Sequence, residues 1–205
     1  MFTRFRAAAA LGAAALLLTG CSKGPDSRAL SVAWVKARAK ATGTTGAPEC
    51  PVKYDIAAAG RAAGYGDQAG PSPIGPAATA DFDGPPDSPL GQSDGATIDC
   101  VYRINSQKLH AYTVGVGKGV ALGLLAPRVQ TDAQMSTAEM ATWLDKAVKA
   151  ERGLPVPTPG HTVVSVRLPV DGQGDVALIV SLGENAKADP QLERLTKELA
   201  DQART

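Results

Sequence analysis

Apolar positions along this chain keep two different periods, and the switches between them divide it into elements. From Thr97 the period is two: Ile98, Cys100, Tyr102 and Ile104 share one face while Asp99 and Arg103 take the other, which predicts a half-buried strand carrying Cys100 inward. Residues 105–108 read as a turn, 109–116 as the return strand, and Gly117-Lys118-Gly119 as a second turn into a short strand over 120–125. The same alternation returns at Val164, Val166, Leu168 and Val170, and again at Val176, Leu178, Val180 and Leu182, with a turn over 171–174 between them. That is a second hairpin.

Elsewhere the period is near 3.6. Ser136-Thr137-Ala138-Glu139 fits a capping box, and Met140, Trp143, Leu144, Ala147 and Val148 then form one apolar stripe until Gly153 and Pro155 supply a stop. Asp189 and Pro190 open a last helix with Leu192, Leu195 and Leu199 inward and Glu193–Lys197 and Arg194–Glu198 as outward pairs. After Cys50, Pro51 suits a first helical position, and Val52, Ile56, Ala59 and Ala63 recur until Gly64 and Gly66. Residues 66–96 carry Pro71, Pro73, Pro76, Pro85, Pro86 and Pro89 among glycines, which predicts a long loop. Helix, meander, helix, hairpin, helix is an α+β layout: a mostly antiparallel sheet of about five strands covered by helices.

The N-terminus follows a different logic. Arg4 and Arg6 precede an apolar run over 7–18, too short to remain in a bilayer as a spanning helix, so residues 1–20 read as a secretory signal peptide that is removed. Leu18-Thr19-Gly20-Cys21 resembles the bacterial lipobox, which would place a diacylglyceryl thioether on Cys21 and hold the protein at the cell membrane on its extracytoplasmic face. Two or more acyl chains meet the requirement for stable anchoring. Residues 21–48 then read as the lipidated N-terminus and a flexible basic tether, with Lys23, Arg28, Lys36, Arg38 and Lys40. A second reading of that stretch is a short amphipathic helix with Leu30, Ala33, Trp34, Ala37 and Ala41 on one face, lying on anionic lipid. Residues 49–205 make one extracytoplasmic domain, with the Pro/Gly-rich loop at 66–96 inside it.

Composition narrows the classes of function. A chain of 205 residues, 44% hydrophobic and 20% charged, is not wholly disordered. Its formal charge of +1 becomes −1 once Arg4 and Arg6 leave with the signal peptide, which gives no electrostatic footprint for nucleic acid. With Cys21 acylated, two thiols remain in an oxidising compartment, and Cys50 and Cys100 are expected to form a disulfide. They lack the spacing of a redox or metal pair.

No motif survives its context. Gly91-Gln92-Ser93-Asp94-Gly95 matches a nucleophile elbow by letters, but a proline-rich loop precedes Ser93 and a strand follows it, the reverse of what the elbow needs. Asp67, Asp81, Asp83, Asp87 and Asp94 do not reproduce a calcium-loop spacing. His110 and His161 have no zinc-ligand spacing and read as surface or edge residues. Gly115-Val116-Gly117-Lys118-Gly119 lacks the spacing of a dinucleotide or phosphate loop. Tyr102, Tyr112 and Trp143 read as core. The expectation is therefore no catalytic residue, no metal and no cofactor.

Taken together, the lipobox at Cys21, the basic tether, Cys50-Pro51 before a helix, Cys100 in a strand with Tyr102 nearby, and the Gly172-x-Gly174-Asp175 hairpin before a closing helix resemble small two-cysteine actinobacterial lipoproteins of unknown function. The likeness runs from about Cys50 to the end. It departs at Tyr102, where that group has tryptophan, and in the length of the proline-rich loop. It implies an extracytoplasmic α+β domain similar to PsbP-like sandwiches and carries no activity. The leading expectation is a non-catalytic binding or accessory module of the cell envelope, with an envelope protein as partner. The alternative is a carrier of a small apolar or lipid-like ligand, held between the sheet and the helix bearing Met140 and Trp143. A serine esterase using Ser93 stands third.

Overall fold

The computed structural model describes residues 28–72, 75–82 and 84–204; the expected signal peptide over 1–20, the expected lipidation site Cys21 and Asp83 lie outside the described residues. The first half of the chain forms α1 (Val32–Thr42), α2 (Ile56–Ala63), a 3-10 turn (Gly66–Gln68), β1 (Ala69–Pro71), β2 (Ala78–Phe82), α3 (Pro89–Gln92), β3 (Gly95–Ile104) and β4 (Gln107–Val116). The second half forms α4 (Ala121–Leu124), α5 (Ala126–Asp132), α6 (Thr137–Lys149), β5 (Pro155–Pro157), β6 (Val163–Arg167), β7 (Asp175–Ser181) and α7 (Gln191–Gln202).

The period-two run does form the long β3–β4 hairpin, closed by Asn105 in the left-handed region, with Ile104 opposite Gln107. The second hairpin, β6–β7, docks beside it through β7. The order is β1-β3-β4-β7-β6-β5, with β2 also on β3, and all pairings are antiparallel. The fold is thus α+β with a seven-stranded sheet.

Both faces of the sheet carry helices. On the first, Ile98, Cys100, Ile104, Leu109, Val166 and Leu178 pack with Val35 and Ala39 of α1, Ala59 of α2 and Leu192, Leu195 and Leu199 of α7. On the second, Val114, Val116, Ala177 and Ile179 pack with Leu122, Val129, Met140, Trp143 and Ala147 of α4 to α6. β7 is buried along its whole length because it has helices on both sides. The disulfide Cys50–Cys100, with Cα atoms 5.4 Å apart, fastens the chain ahead of α2 to the middle of β3. Among the described residues, no helix is long and apolar enough to cross a membrane.

Several sequence expectations are corrected. From Arg28 on, the stretch read as tether belongs to the fold: Leu30, Val32, Val35 and Ala39 are buried, and Leu30 bridges to Val170. α1 buries Val32, Val35, Ala39 and Thr42, while Ala33, Ala37 and Ala41 are exposed, so the inward face is not the one assigned. Burying Leu30, Val32 and Val35 contributes about 1.5–3 kcal/mol each toward ordering this segment. The first helix after Cys50 starts at Ile56, not Pro51, because the Asp55 carboxylate accepts from Ala58 N at 2.8 Å and caps it there.

The 66–96 stretch is not one loop. Its proline-free interval forms β2, and Pro71 ends β1 on the sheet edge, where a missing N–H costs no ladder bond. Ala47 exchanges backbone hydrogen bonds with Ala78, which covers the open edge of β2. The strand expected over 120–125 is instead α4, whose first N–H, Ala121 N, donates to the buried Asp175 carboxylate at 3.0 Å. On α7, Lys197 pairs with Asp201 and Arg194 donates to Ala62 O, in place of the two outward pairs expected.

Candidate functional site

A concavity lies where α6 faces the turn leading into β6. The capping box fixes the start of α6: Ser136 Oγ accepts from Glu139 N, while Glu139 Oε2 accepts from Ser136 N at 2.8 Å and from Ser136 Oγ at 2.7 Å. These donors hold the Glu139 carboxyl below its ordinary range. The stripe Met140, Trp143 and Ala147 then turns toward the sheet, and Trp143 Nε1 donates to Val156 O at 3.4 Å. That bond ties α6 to β5.

The opposite wall is Pro157-Thr158-Pro159-Gly160-His161. Thr158 pins it from beneath: its N and Oγ1 donate to Val163 O at 2.9 and 3.0 Å, and its Oγ1 accepts from Val163 N. His161 sits in the left-handed region with φ 50°, its N donating to Thr158 O and its O accepting from Asp189 N. Between the walls is a cleft of about 450 Å³, lined by Ala138, Thr142, Trp143, Pro157 and Pro159 as surface for an apolar body and by Glu139, Lys146, Thr158 and His161 as polar groups. A small ligand site has this size and this mixture. His161 Nδ1 is buried and has no hydrogen-bond partner among the described residues. Trp143 was expected as core and is buried, yet it also forms the floor of this cleft; Met140 does not line it.

A second concavity, about 270 Å³, lies on the part of the second sheet face that α4 to α6 leave uncovered. Cross-strand register sets Thr79 opposite Asp99 and Asp81 opposite Thr97, with Tyr112 and Arg128 at its side. His110 Nδ1 lies 2.9 Å from Asp99 Oδ2, and the imidazole stacks on Tyr112 at 5.6 Å between centroids. Arg128 Nε reaches the buried Asp132 carboxylate at 3.1 Å, and Asp132 Oδ2 accepts from Ser181 Oγ at 2.7 Å. Burial, then the Asp99 charge, pushes the Tyr112 phenol well above its ordinary range. This is a hydrogen-bonded polar face on the solvated side of an antiparallel sheet.

The residues singled out from the sequence do not converge. Ser93 Oγ donates to Pro89 O at 2.7 Å and to Leu90 O at 3.1 Å, so its hydroxyl closes the turn after α3, whereas His110 is bonded to Asp99 and His161 stands on the far wall of the cleft. Asp67 pairs with Arg61 and Asp94 with Lys36. Among the described residues, no group of three or more His, Cys, Asp or Glu side chains is placed to hold a metal ion. Among the described candidates, Cys50 and Cys100 meet in the disulfide, and His110 stacks on Tyr112.

Two features escaped the sequence reading. Gly153 and Pro155 read as a helix stop, whereas the three prolines over 155–160 also signal a rigid extended wall. The Asp99–His110 pair follows from register: a turn at Asn105–Ser106 puts Asp99 opposite Tyr112 and hence His110 on the diagonal. Set against protein-family models, curated proteins and solved structures, the chain has no match.

Proposed function

We propose that this protein is a lipid-anchored, extracytoplasmic binding module of the cell envelope, with no catalytic role, and that the cleft between α6 and the Pro157–His161 wall is its ligand site. The observation that carries the reading is the cleft itself: about 450 Å³, apolar on its floor and both walls, with a few polar groups around it. Its walls are held by hydrogen bonds that do not involve a ligand, so the site is preformed. Among the two expectations for partners, this favours the carrier of a small apolar-bodied ligand over a docking module for another protein. The lipobox at Cys21 supports the address.

Native mass spectrometry of the full chain gently extracted from membranes tests the reading. An adduct is expected on the parent and lost in Thr142→Trp, which fills the cleft from an exposed helix position; an adduct equal in both, or absent from the parent, refutes it. The anchor is checked separately. The amino-terminal peptide should carry acyl mass at Cys21, and a Cys21→Ser variant should leave the membrane fraction.

A further inference from the structure

The outward face of α1 carries small apolar residues, an aromatic ring and cations, and no acid. The helix is held inward by Val32, Val35, Ala39 and Thr42 and is capped by Ser31 Oγ, which accepts from Trp34 N at 3.1 Å. On the helical period the opposite side is Ala33, Ala37 and Ala41, all exposed, with Lys40 on one flank and Trp34 and Arg38 on the other. The Arg38 guanidinium stands over the half-buried Trp34 ring, 5.5 Å from its centroid. Lys36, at the margin of this face, is paired with Asp94, but neither Arg38 nor Lys40 has a carboxylate partner among the described residues. No Asp or Glu occurs in the sequence between Asp26 and Glu49.

Two observations select what covers this face. Its charge is of one sign, and a tryptophan at the edge of an apolar strip suits the headgroup layer of an anionic bilayer, where each nearby cation strengthens docking roughly fivefold. The covalent path leads to the same surface: the stretch from Cys21 to Arg28 can span more than the length of α1, roughly 16 Å, so a bilayer holding acyl chains on Cys21 is within reach of the whole helix. We propose that the outward face of α1 docks the domain on an anionic bilayer, with Trp34 at headgroup level and Arg38 and Lys40 against the lipid phosphates. The inference rests on the Cys21 anchor and adds the orientation of the body. Because α1 packs on the first face of the sheet and α6 on the second, docking puts the sheet between the lipid and the cleft.

The experiment reads Trp34 fluorescence in the lipidated chain reconstituted into vesicles of brominated phosphatidylcholine, alone or in equal parts with brominated phosphatidylglycerol. The chain has two tryptophans, and a Trp34→Phe variant supplies the emission of Trp143 to be subtracted. Trp34 is expected to be quenched by bromine in the anionic vesicles, to recover at high salt, and to change little in phosphatidylcholine alone. Arg38→Gln and Lys40→Gln should each lower the ratio of docked to undocked protein roughly fivefold, with near-ultraviolet circular dichroism unchanged from the parent. Lys108→Gln, an exposed change on the His110 and Tyr112 side of β4, should leave the quenching as it is. Equal quenching in the two kinds of vesicle, or none in either, overturns the docking and leaves the anchor standing. Shielding of Trp34 from acrylamide without quenching by bromine means that protein and not lipid covers the face, and overturns it as well. A chain that stays in the supernatant with both kinds of vesicle overturns the anchor and the docking together.

Discussion

Asp175 holds three segments of the second layer, and its removal is the sharpest test of how that layer is built. The residue is buried at the start of β7 with 5% of its side chain exposed. Its Oδ1 meets Arg152 Nη2 at 2.8 Å and Arg167 Nη2 at 3.1 Å, and its Oδ2 accepts from Ala121 N at 3.0 Å. The two guanidinium groups continue outward, Arg152 to Leu168 O and Arg167 to Val148 O, so one carboxylate joins α4, the end of α6 and β6. Asp175→Ala strands an amide and two cations at once. Breaking a buried pair costs about 3–5 kcal/mol, but the arginine side chains are 34% and 21% exposed and water relieves part of the loss, which places the expected cost at about 3 kcal/mol. For a domain of this size that lowers Tm by roughly 6–12 °C. Urea unfolding of the Cys21→Ser chain, followed by near-ultraviolet circular dichroism, measures it. In an Arg152→Met, Arg167→Met background the same substitution should cost less than about half as much, because few unpaired charges remain. A cost below about 0.5 kcal/mol in the parent background, or an equal cost in both, refutes the assignment of Asp175 as the joint.

Burial raises the phenol of each of the four tyrosines, Tyr54, Tyr65, Tyr102 and Tyr112, above its ordinary range. A group whose folded value is raised contributes stability that is complete below about pH 10 and is lost as pH climbs past it, so absorbance at the phenolate band should stay flat until the protein unfolds in alkali, and early titration of any one tyrosine contradicts its burial. Replacing Cys50 and Cys100 together by serine should cost on the order of 4 kcal/mol by the loop-entropy relation for about 50 residues, read as a lower urea midpoint without loss of the folded baseline. Gly174→Ala should lower stability by about 2 kcal/mol or more, since φ there is 101° and the added Cβ would stand 2.5 Å from Val116 O; a neutral result in the same urea assay means the β6–β7 turn is placed otherwise.

The elements legible in the sequence are those whose signal is local. Ser136 and Glu139 identify the start of α6 by chemistry confined to four residues, and the alternation through Ile98 to Ile104 needs no partner to declare a strand. A helix over the stretch of α1 was one of two readings, but its inward face was not legible because alanines fall on both faces, and which face turns inward is decided by the sheet beneath Val35, next to Gly115. α4 was not legible because a short apolar run suits either period, and the carboxylate that receives its first N–H lies 54 residues downstream. The same limit governs the cleft. Trp143 reads as core because its burial is what periodicity reports; that its edge also floors a cleft depends on Pro157 and His161, which no spacing links to α6.

The early start of the fold sets how far the body can stray from its anchor. If Cys21 carries the acyl chains, the leash is only the seven residues up to Arg28, which even at full stretch reach roughly 25 Å. A leash through residue 48 would have allowed about four times that distance. In the seven-residue case the domain and its cleft would lie within roughly the shorter distance of the bilayer surface.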